Sequence, residues 1–343
     1  MKKQGEKIDI VSVSRLVGVS PATVSRAINH PDLVHPATRK KIDAAIRKTG
    51  YIRNRAAQTM HGRRSATIGL IVPTVDHAIF AEVVQAFSDA VSEEGFTVLL
   101  ATHGYDLKTE YNVLRKLLEH RVDGVALIGL DHSADTYRLI EQQGVPALAI
   151  WSYAPDSPIS SVGADNTEAG RVAAEHLVLL GHRRIGIVFP PTAENDRARA
   201  RFEGATAAFA AVGIDVPVEW MGRSLYSIAQ SKSVCLDLLR RSEPPSALLC
   251  GNDVIAQGAV SAAMTLGLNV PRDISIIGIG DFAGSADMMP ALTTVRIPAG
   301  RIGSLAGRHL IDAIASPDSL NVVRTRLDVE LMMRATTAPP KQR

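Results

Sequence analysis

The sequence predicts a small all-α headpiece followed by an α/β core with two lobes. Residues 1–64 contain 14 Lys and Arg but only 4 Asp and Glu, a net charge of +10, so the other 279 residues carry −7 of an overall +3. The first 50 residues show helical periodicity, whereas short apolar runs alternate with amphipathic stretches from residue 68 onward. A basic module joined to an acidic body indicates one part for a polyanion and another with a separate task.

Composition excludes several classes of protein. No apolar run approaches the ~18 residues of a membrane span, and Cys235 and Cys250 are too few for a disulfide framework. The start, MKKQGEKIDIVSVSR, lacks the apolar stretch of a secretory signal, so we expect a cytoplasmic protein without a membrane partner. The sequence contains no HExxH, CxxC or GxSxG motif, so we expect no metal, no cofactor and no enzyme activity.

The headpiece is predicted to contain three helices. The segment IDIVSVSRLVGVSPATVSRAIN suits two short helices broken at Gly18, because glycine adopts turn conformations that other residues resist. Ser20 and Pro21 begin the second helix, since serine is a favoured N-cap and proline a favoured first residue. A third amphipathic helix covers residues 36–49, and Gly50 closes it.

This arrangement is the helix-turn-helix pattern, in which the second helix enters the major groove of DNA. On that helix Pro21, Ala22 and Arg26 are predicted to face base edges. Arg26 suits guanine, because its guanidinium can bond the O6 and N7 acceptors together. The alternative is a solvated helical bundle in which the short polar residues serve only as caps and turns. The short side chains suited to phosphate contacts are Ser20, Thr23, Ser25, Asn29 and Thr38.

The segments VGVSPATVSRAIN and TRKKIDAAIRKTGYI resemble the headpiece of the lactose/galactose repressor (LacI/GalR) family. The resemblance continues into residues 54–64, NRAAQTMHGRR, where that family has a hinge helix that orders on operator DNA and inserts a leucine into the minor groove. It implies DNA contacts by Asn54, Ala57 and Met60, with Met60 as the wedge. Arg53 replaces the family's usual proline, which makes entry into this helix less rigid. The alternative is a plain basic linker.

The core is predicted from repeated apolar runs, namely IGLIV, FTVLLAT, GVALIG and PALAI, and then RIGIVF, SALLCG and ISIIGIG. Helical segments separate these runs, which indicates parallel sheets covered on both faces. Two such series predict two lobes, with a ligand site in the cleft beyond the carboxyl ends of the strands. The predicted domains are 1–53 for the headpiece, 54–64 for the hinge helix or linker, and 65–343 for the core, with lobe 1 at about 65–163 and 294–322 and lobe 2 at about 164–293 and 323–340.

The resemblance extends through blocks such as IGLIVPTVDHAIFAEVVQAF and RARFEGATAAFAAVGI, and it implies a periplasmic-binding-protein-like core. Arg201 is the implied anchor for an effector, because it precedes Gly204 by three residues, where the family has a ligand-gripping arginine. Arg197 and Arg199 are expected to be solvated or to bridge the lobes. Crossovers between lobes are expected near 163–166, 291–296 and 321–326. The implied effector contacts are Asp76, Ile79, Phe80, Trp151, Arg201, Asn252, Gly280 and Asp281.

The departures from the family pattern favour an anionic effector. Gly280 stands where many members have an aspartate, and Trp151 replaces a common acidic residue. Loss of carboxylates beside a retained Arg201 removes like charge that would oppose an anion. The segment ATHGYD, residues 101–106, resembles the gluconate-repressor branch, so we expect a sugar acid such as gluconate or a ketogluconate. His103 either contacts this ligand or is a structural histidine.

The resemblance implies an effector-controlled transcriptional regulator, most simply a repressor of carbohydrate or sugar-acid catabolism. We expect a homodimer on a pseudopalindromic operator, because one recognition helix contacts few bases. The alternatives are a solute-binding receptor, an enzyme of similar architecture, and a regulator that responds to a neutral sugar or a purine. The +10 headpiece opposes a receptor, and the lack of a catalytic motif opposes an enzyme. The sequence leaves open whether the effector releases or strengthens DNA binding.

Overall fold

The chain divides into two units, Met1–Ser65 and Ala66–Arg343. The predicted hinge contacts Asn54, Ala57 and Met60 lie outside the part of the chain that is described. Within that part, no helix is both long enough and apolar enough to cross a membrane. The structure, a computed structural model, describes residues 8–52, 64–76, 79–316 and 321–341.

The headpiece folds as the three helices that the sequence predicts. Gly18 and Gly50 end the first and third helices in the left-handed conformation, with φ of 75° and 67°. Ser20 caps the second helix, because its Oγ accepts a hydrogen bond of 3.1 Å from the amide of Thr23. A small apolar core that includes Val13, Val24 and Ile42 holds the helices together. The elements are α1 (Ile10–Val17), α2 (Pro21–Asn29), a 3-10 turn (Pro31–Leu33) and α3 (Pro36–Thr49).

The core unit contains two six-stranded sheets, one in each lobe. Strands such as β3 and β6 below are buried along their whole length, as expected for sheets covered by helices on both faces. All pairs in the lobe-1 sheet are parallel, and in lobe 2 only the last pairing is antiparallel. Lobe 1 has β1 (Thr67–Val72), β2 (Thr97–Thr102), β3 (Gly124–Ile128), β4 (Ala147–Ser152), β5 (Ser160–Ala164) and β11 (Arg324–Leu327), ordered β11-β5-β4-β3-β1-β2. Lobe 2 has β6 (Ile185–Phe189), β7 (Met221–Arg223), β8 (Ala247–Cys250), β9 (Ser275–Gly280), β10 (Thr293–Arg296) and β12 (Glu330–Met332), ordered β12-β10-β9-β8-β6-β7.

Helices cover both faces of these sheets. Two helices of lobe 2 cross in close contact. A Cβ atom at Gly170 would overlap the carbonyl of Arg201, and a Cβ at Gly204 would overlap the carbonyl of Thr167. Two helices of lobe 2 therefore touch backbone to backbone, and Arg201 lies directly against the neighbouring helix. Lobe 1 carries α4 (Ala81–Glu93), α5 (Leu107–Glu119), α6 (Ala134–Gln143) and α11 (Ala299–Ala315), and lobe 2 carries α7 (Asn166–Leu179), α8 (Asp196–Ala210), α9 (Ile228–Leu239), α10 (Asp253–Thr265) and a 3-10 turn (Val218–Trp220).

The second and third crossovers between lobes occur later than the sequence predicts. Strand β10 pairs with β9 in lobe 2, so the chain leaves this lobe after Arg296 and not within 291–296. Strand β11 pairs with β5 in lobe 1, so residues 324–327 belong to lobe 1 and the last crossing follows Leu327. The lobe boundaries predicted at about 294 and 323 therefore lie a few residues too early in the chain. These strands, TTVR and RTRL, are short and polar, and they lack the apolar run on which the prediction depended.

Candidate functional site

The first candidate site is an exposed face of α2 in the headpiece. Pro21, Ala22 and Arg26 are exposed along this helix, as a base-contacting surface requires. Ser25 and Asn29 are half-buried, and the Asn29 amide donates to the Ser25 carbonyl (2.8 Å) and to its Oγ (3.1 Å). The predicted phosphate contact Thr38 is also half-buried, and the exposed basic residues of α3 are Arg39, Lys40, Lys41, Arg47 and Lys48.

The second candidate site is a cavity of about 490 Å³ between the lobes. Thr74, Gly104 and Tyr105 line it from lobe 1, and Asn195 and Tyr226 are among its lobe-2 residues. It lies beyond the carboxyl ends of the strands, where parallel α/β sheets bind ligands.

The two tyrosines of this cavity are functional candidates that the sequence does not mark. The rings of Tyr105 and Tyr226 lie 5.7 Å apart, and the Asn195 amide donates a 3.0 Å hydrogen bond to the Tyr226 hydroxyl. Burial raises the pKa of Tyr105, so its hydroxyl stays protonated at neutral pH. Both tyrosines lie in loops, where no periodic pattern marks them, although Tyr105 belongs to the ATHGYD segment. Together they form an aromatic wall across the cleft.

Arg201 is buried on the lobe-2 side of the cleft, with only 4% of its surface exposed. Its Nε donates to Asn166 Oδ1 at 2.8 Å, and one terminal nitrogen donates to the Gly251 carbonyl at 3.1 Å. Burial lowers its pKa to about 10, so the guanidinium remains charged at neutral pH. The second terminal nitrogen has no protein acceptor among the described residues. A buried cation held in this way is suited to an anionic or hydroxyl-rich ligand.

Three other predicted contacts carry buried nitrogen atoms without partners among the described residues. These atoms are the Trp151 indole nitrogen, the Asn252 side-chain amide nitrogen and both ring nitrogens of His103. The other end of Asn252 is occupied, since its Oδ1 accepts from the Ile255 amide at 3.0 Å. A buried donor without an acceptor costs roughly 1–3 kcal/mol. The unmet donors of Trp151 and Asn252 therefore point to a ligand that supplies acceptor atoms.

Phe80 and Trp151, the two aromatic residues predicted to contact an effector, pack in the same buried apolar cluster. Trp151 lies within β4, not after it, and its φ is 82°. Its ring meets the ring of Phe80 edge to face at 5.3 Å, while Arg197 lies 5.9 Å from the Phe80 ring centre. Ile79 is also buried in the core, whereas the predicted contact Asp76 is exposed.

The turn after β9 offers an effector fewer free groups than predicted. The Asp281 carboxylate, expected to contact the effector, is paired with Arg296 at 2.8 Å and Arg334 at 2.6 Å. Burial raises the pKa of this carboxyl, but the two arginines overcome that effect and lower the pKa below its usual value. Gly280 has a φ of 140°, and a Cβ there would overlap the Phe282 ring. Gly280 thus serves the turn, and Asp281 is occupied by protein cations.

The start of α8 joins the two lobes, and we call this set of contacts the interlobe clasp: Asp196, Arg197 and Arg199 of lobe 2 with residues 128–131 and Ser152 of lobe 1. The Asp196 carboxylate accepts from the Leu130 amide at 3.1 Å, the Ser152 hydroxyl at 2.6 Å and Arg197 at 2.8 Å. Arg197 also donates to the Ile128 carbonyl at 3.3 Å, and Arg199 pairs with Asp131 at 2.6 Å. Of the two expectations for these arginines, lobe bridging is the one observed.

Most carboxylate oxygens near the cleft are occupied, although Asp131 Oδ2 is buried without a hydrogen-bond partner among the described residues. Asp253 has no exposed surface and accepts from the Phe282 amide, the Ser285 hydroxyl and the Thr294 hydroxyl. With Asp196 in the interlobe clasp and Asp281 held by arginines, these acids leave no oxygen-rich surface for a cation. The described residues also contain no cluster of His, Cys, Asp and Glu able to hold a metal ion. Apart from Asp131 Oδ2, the unpaired groups of Trp151 and Asn252 are hydrogen-bond donors.

Comparisons with known proteins agree with this division of the chain. Residues 9–54 match the family described as "Bacterial regulatory proteins, lacI family", and residues 174–337 match the "Periplasmic binding protein-like domain". The chain is 30% identical over 337 residues to the HTH-type transcriptional repressor CytR of Escherichia coli, with 98% of each chain covered. It is 29% identical over 327 residues to the HTH-type transcriptional repressor PurR of Haemophilus influenzae, covering 95% of this chain and 97% of the other. A crystal structure of the lac repressor dimer bound to operator and the anti-inducer ONPF aligns with a TM-score of 0.83 at 26% identity, covering 97% of this chain and 100% of the other.

Proposed function

The chain belongs to the LacI family of bacterial regulatory proteins, and from this premise we propose that it is a homodimeric, cytoplasmic transcriptional repressor controlled by a sugar acid. The relatives are repressors and not enzymes, so we expect this chain to act by binding DNA and a ligand. The effector that we propose is gluconate or a related aldonate, bound in the interlobe cleft.

The excess of donors in the cleft is the observation that carries this choice of effector. The side-chain nitrogens of Trp151 and Asn252 are buried without partners, and one terminal nitrogen of Arg201 has no protein acceptor among the described residues. The carboxylates of Asp253 and Asp281 are held by protein donors. An aldonate supplies a carboxylate for the guanidinium and several hydroxyl oxygens for the neutral donors. The cavity of about 490 Å³, which is lined by Tyr105, Asn195 and Tyr226 among others and not by these three donors, lies within the usual range for small-ligand sites.

Operator binding is proposed to use the exposed face of α2 from two headpieces. Arg26 would determine the preferred base at one position, and the exposed lysines of α3 would add phosphate contacts. The hinge residues Asn54, Ala57 and Met60 are proposed to bind the minor groove between the half-sites. Effector binding would bias this assembly by a coupling of roughly 1–3 kcal/mol, which changes operator affinity about 5–150-fold.

Calorimetry with purified full-length protein tests the effector proposal. We expect gluconate to bind, and Arg201→Gln to abolish binding because the buried cation is lost. Thermal unfolding of this variant serves as the control for folding. Binding of neutral sugars or purines, with no binding of any aldonate, would refute the proposed effector class.

A mobility-shift titration on DNA upstream of the chain's own gene tests the operator proposal. Arg26→Ala is expected to cost ~1–3 kcal/mol and to relax specificity at one base position. Lys40→Ala is the matched control, because loss of a phosphate contact weakens all DNA sequences about equally. Equal weakening on every sequence by Arg26→Ala would contradict the assigned role. For the hinge, unchanged operator affinity in Met60→Ser would remove the wedge.

A further inference from the structure

Three titratable side chains from different segments of lobe 1 meet near the cleft. His103 follows β2, Glu110 lies on α5, and His132 follows β3. His103 and Glu110 are 7% and 1% exposed, and the His132 side chain has no exposed surface. Glu110 lies 2.9 Å and 3.0 Å from His132 Nδ1 through its two oxygens, and 3.8 Å from His103 Nε2. We call these residues the His-Glu-His cluster.

The geometry of His132 determines the charge of its pair with Glu110. His132 Nε2 lies 3.1 Å from the Gly129 carbonyl, which can only accept, so Nε2 carries a hydrogen. The contact between Nδ1 and the carboxylate then contains one further proton, placed either on the imidazole or on the carboxyl group. In both cases the pair as a whole is neutral. His103 is therefore the group of the cluster that is left to respond to a new charge.

His103 is unpaired although it is buried. Neither of its ring nitrogens has a hydrogen-bond partner within the described ranges. Burial lowers its pKa, Glu110 opposes this effect, and Arg197 and His132 lower the pKa further, so the ring is neutral at neutral pH. Its own loop adds Tyr105, whose ring lies 6.4 Å away and lines the cleft, and the backbone of Asp106, which raises the pKa of the His103 ring.

The field at His103 thus comes from both lobes, because Arg197 lies on α8 of lobe 2. An anion that enters the cleft near Arg201 and Arg197 cancels part of the positive potential that keeps His103 neutral. A protonated ring has two N–H donors. One of them can reach Glu110 after a shift of less than 1 Å from the present 3.8 Å.

We propose that the acid effector binds together with one proton, which His103 takes from solvent, and that Glu110 is the positioning residue that accepts the second N–H of the resulting imidazolium. This inference rests on the proposed sugar-acid function and adds a reason for selectivity. An uncharged sugar does not raise the proton affinity of His103, so it gains nothing from the cluster. The cleft then distinguishes an acid from its neutral analogue through a residue that complements Arg201.

The sign of the pH dependence follows from linkage. Burial holds the pKa of His103 below its ordinary value in the free protein, and a bound anion raises it. Between the free and bound values the complex holds one proton more than the free protein. Effector affinity therefore falls as pH rises through this window, by up to about tenfold per pH unit. Below the free value, both states are protonated and affinity is independent of pH.

Titration calorimetry of the full-length protein with gluconate, between pH 5.5 and 8 in buffers of different ionisation enthalpy, measures this proton directly. Wild-type protein is expected to take up close to one proton within the window, with weaker binding at higher pH. His103→Gln keeps hydrogen-bonding capacity but cannot titrate, so its binding is expected to be independent of pH and free of proton uptake. Glu110→Gln is expected to move the window to lower pH while gluconate still binds at pH 5.5. His120→Gln changes an exposed histidine of the same lobe and is expected to behave as wild type.

The outcomes separate this inference from the effector proposal. Gluconate binding by wild-type protein without proton uptake overturns the inference and leaves the sugar-acid proposal standing, and this measurement needs no variant to fold. Uptake that persists in His103→Gln also overturns it. If gluconate fails to bind at every pH, the sugar-acid proposal is wrong and the inference is lost with it.

Discussion

The interlobe clasp predicts that one carboxylate controls how far the cleft opens. Asp196→Ala removes two hydrogen bonds that cross between the lobes, from the Leu130 amide at 3.1 Å and from the Ser152 hydroxyl at 2.6 Å. Hydrogen bonds to a charged acceptor contribute roughly 1.5–3 kcal/mol each. At about 1.5 kcal/mol each, the two bonds together stabilise the closed state by about 3 kcal/mol. Their loss therefore lowers the ratio of closed to open molecules about 150-fold.

Spin labels on opposite lobes measure this change. Lys116→Cys on α5 and Asp237→Cys on α9 are exposed sites for a label pair, while the native Cys235 and Cys250 are fully buried. We expect a narrow distance distribution in the parent and a longer, broader one in Asp196→Ala.

A surface ion pair provides the matched control for this experiment. Asp135 and Arg138 form a pair whose side chains are 69% and 62% exposed, and such pairs contribute at most about 1 kcal/mol. Asp135→Ala should therefore leave the distance distribution unchanged. If Asp196→Ala also gives the parent distribution, the interlobe clasp does not hold the lobes together and the reasoning is refuted.

Three further predictions concern local features of the fold. Ser20→Ala removes the cap of α2 at a cost of about 1 kcal/mol, so amide exchange in α2 should be about fivefold faster; unchanged protection would contradict this. Burial raises the pKa of Cys235 to about 12 and that of Cys250 well above its usual value, so a thiol reagent at pH 8 should modify neither until the protein unfolds; rapid labelling of native protein would disprove it. Gly129→Ala adds about 1–3 kcal/mol of strain at a φ of 91° and displaces an arginine of the interlobe clasp, so its melting temperature should fall below that of Gly144→Ala, which meets no atom within 4 Å; equal melting temperatures would show that only backbone strain matters.

The headpiece could be predicted in detail because its boundaries depend on neighbouring residues. Ser20 caps α2 through a bond to a residue three positions away, and Gly18 and Gly50 end helices at the positions expected of them. Local rules of this kind need no knowledge of the tertiary fold. The buried strands of the core were also visible, because parallel sheets covered on both faces produce continuous apolar runs.

The cleft could be predicted only in part, since its chemistry depends on pairs that are distant in sequence. The resemblance to the family identified Arg201. Asp281, however, forms ion pairs with Arg296 and Arg334, and no local sequence pattern indicates this pairing. The lobe assignments of β10 and β11 failed for a related reason. The sheet to which a short polar strand belongs is determined by the strand it pairs with, here β9 and β5, and not by its own composition. The unmet donors of the cleft are likewise visible only after folding.

The glycine contact between α7 and α8 limits which residues near the binding site can be replaced. Gly170 and Gly204 leave no room for a side chain between the two backbones, and this contact sets the position of Arg201 against Asn166. Any larger residue at either glycine would move the anchoring arginine together with its helix. Redesign of effector specificity should therefore keep both glycines and vary Tyr105 and Tyr226, which line the cavity and lie outside this helix contact.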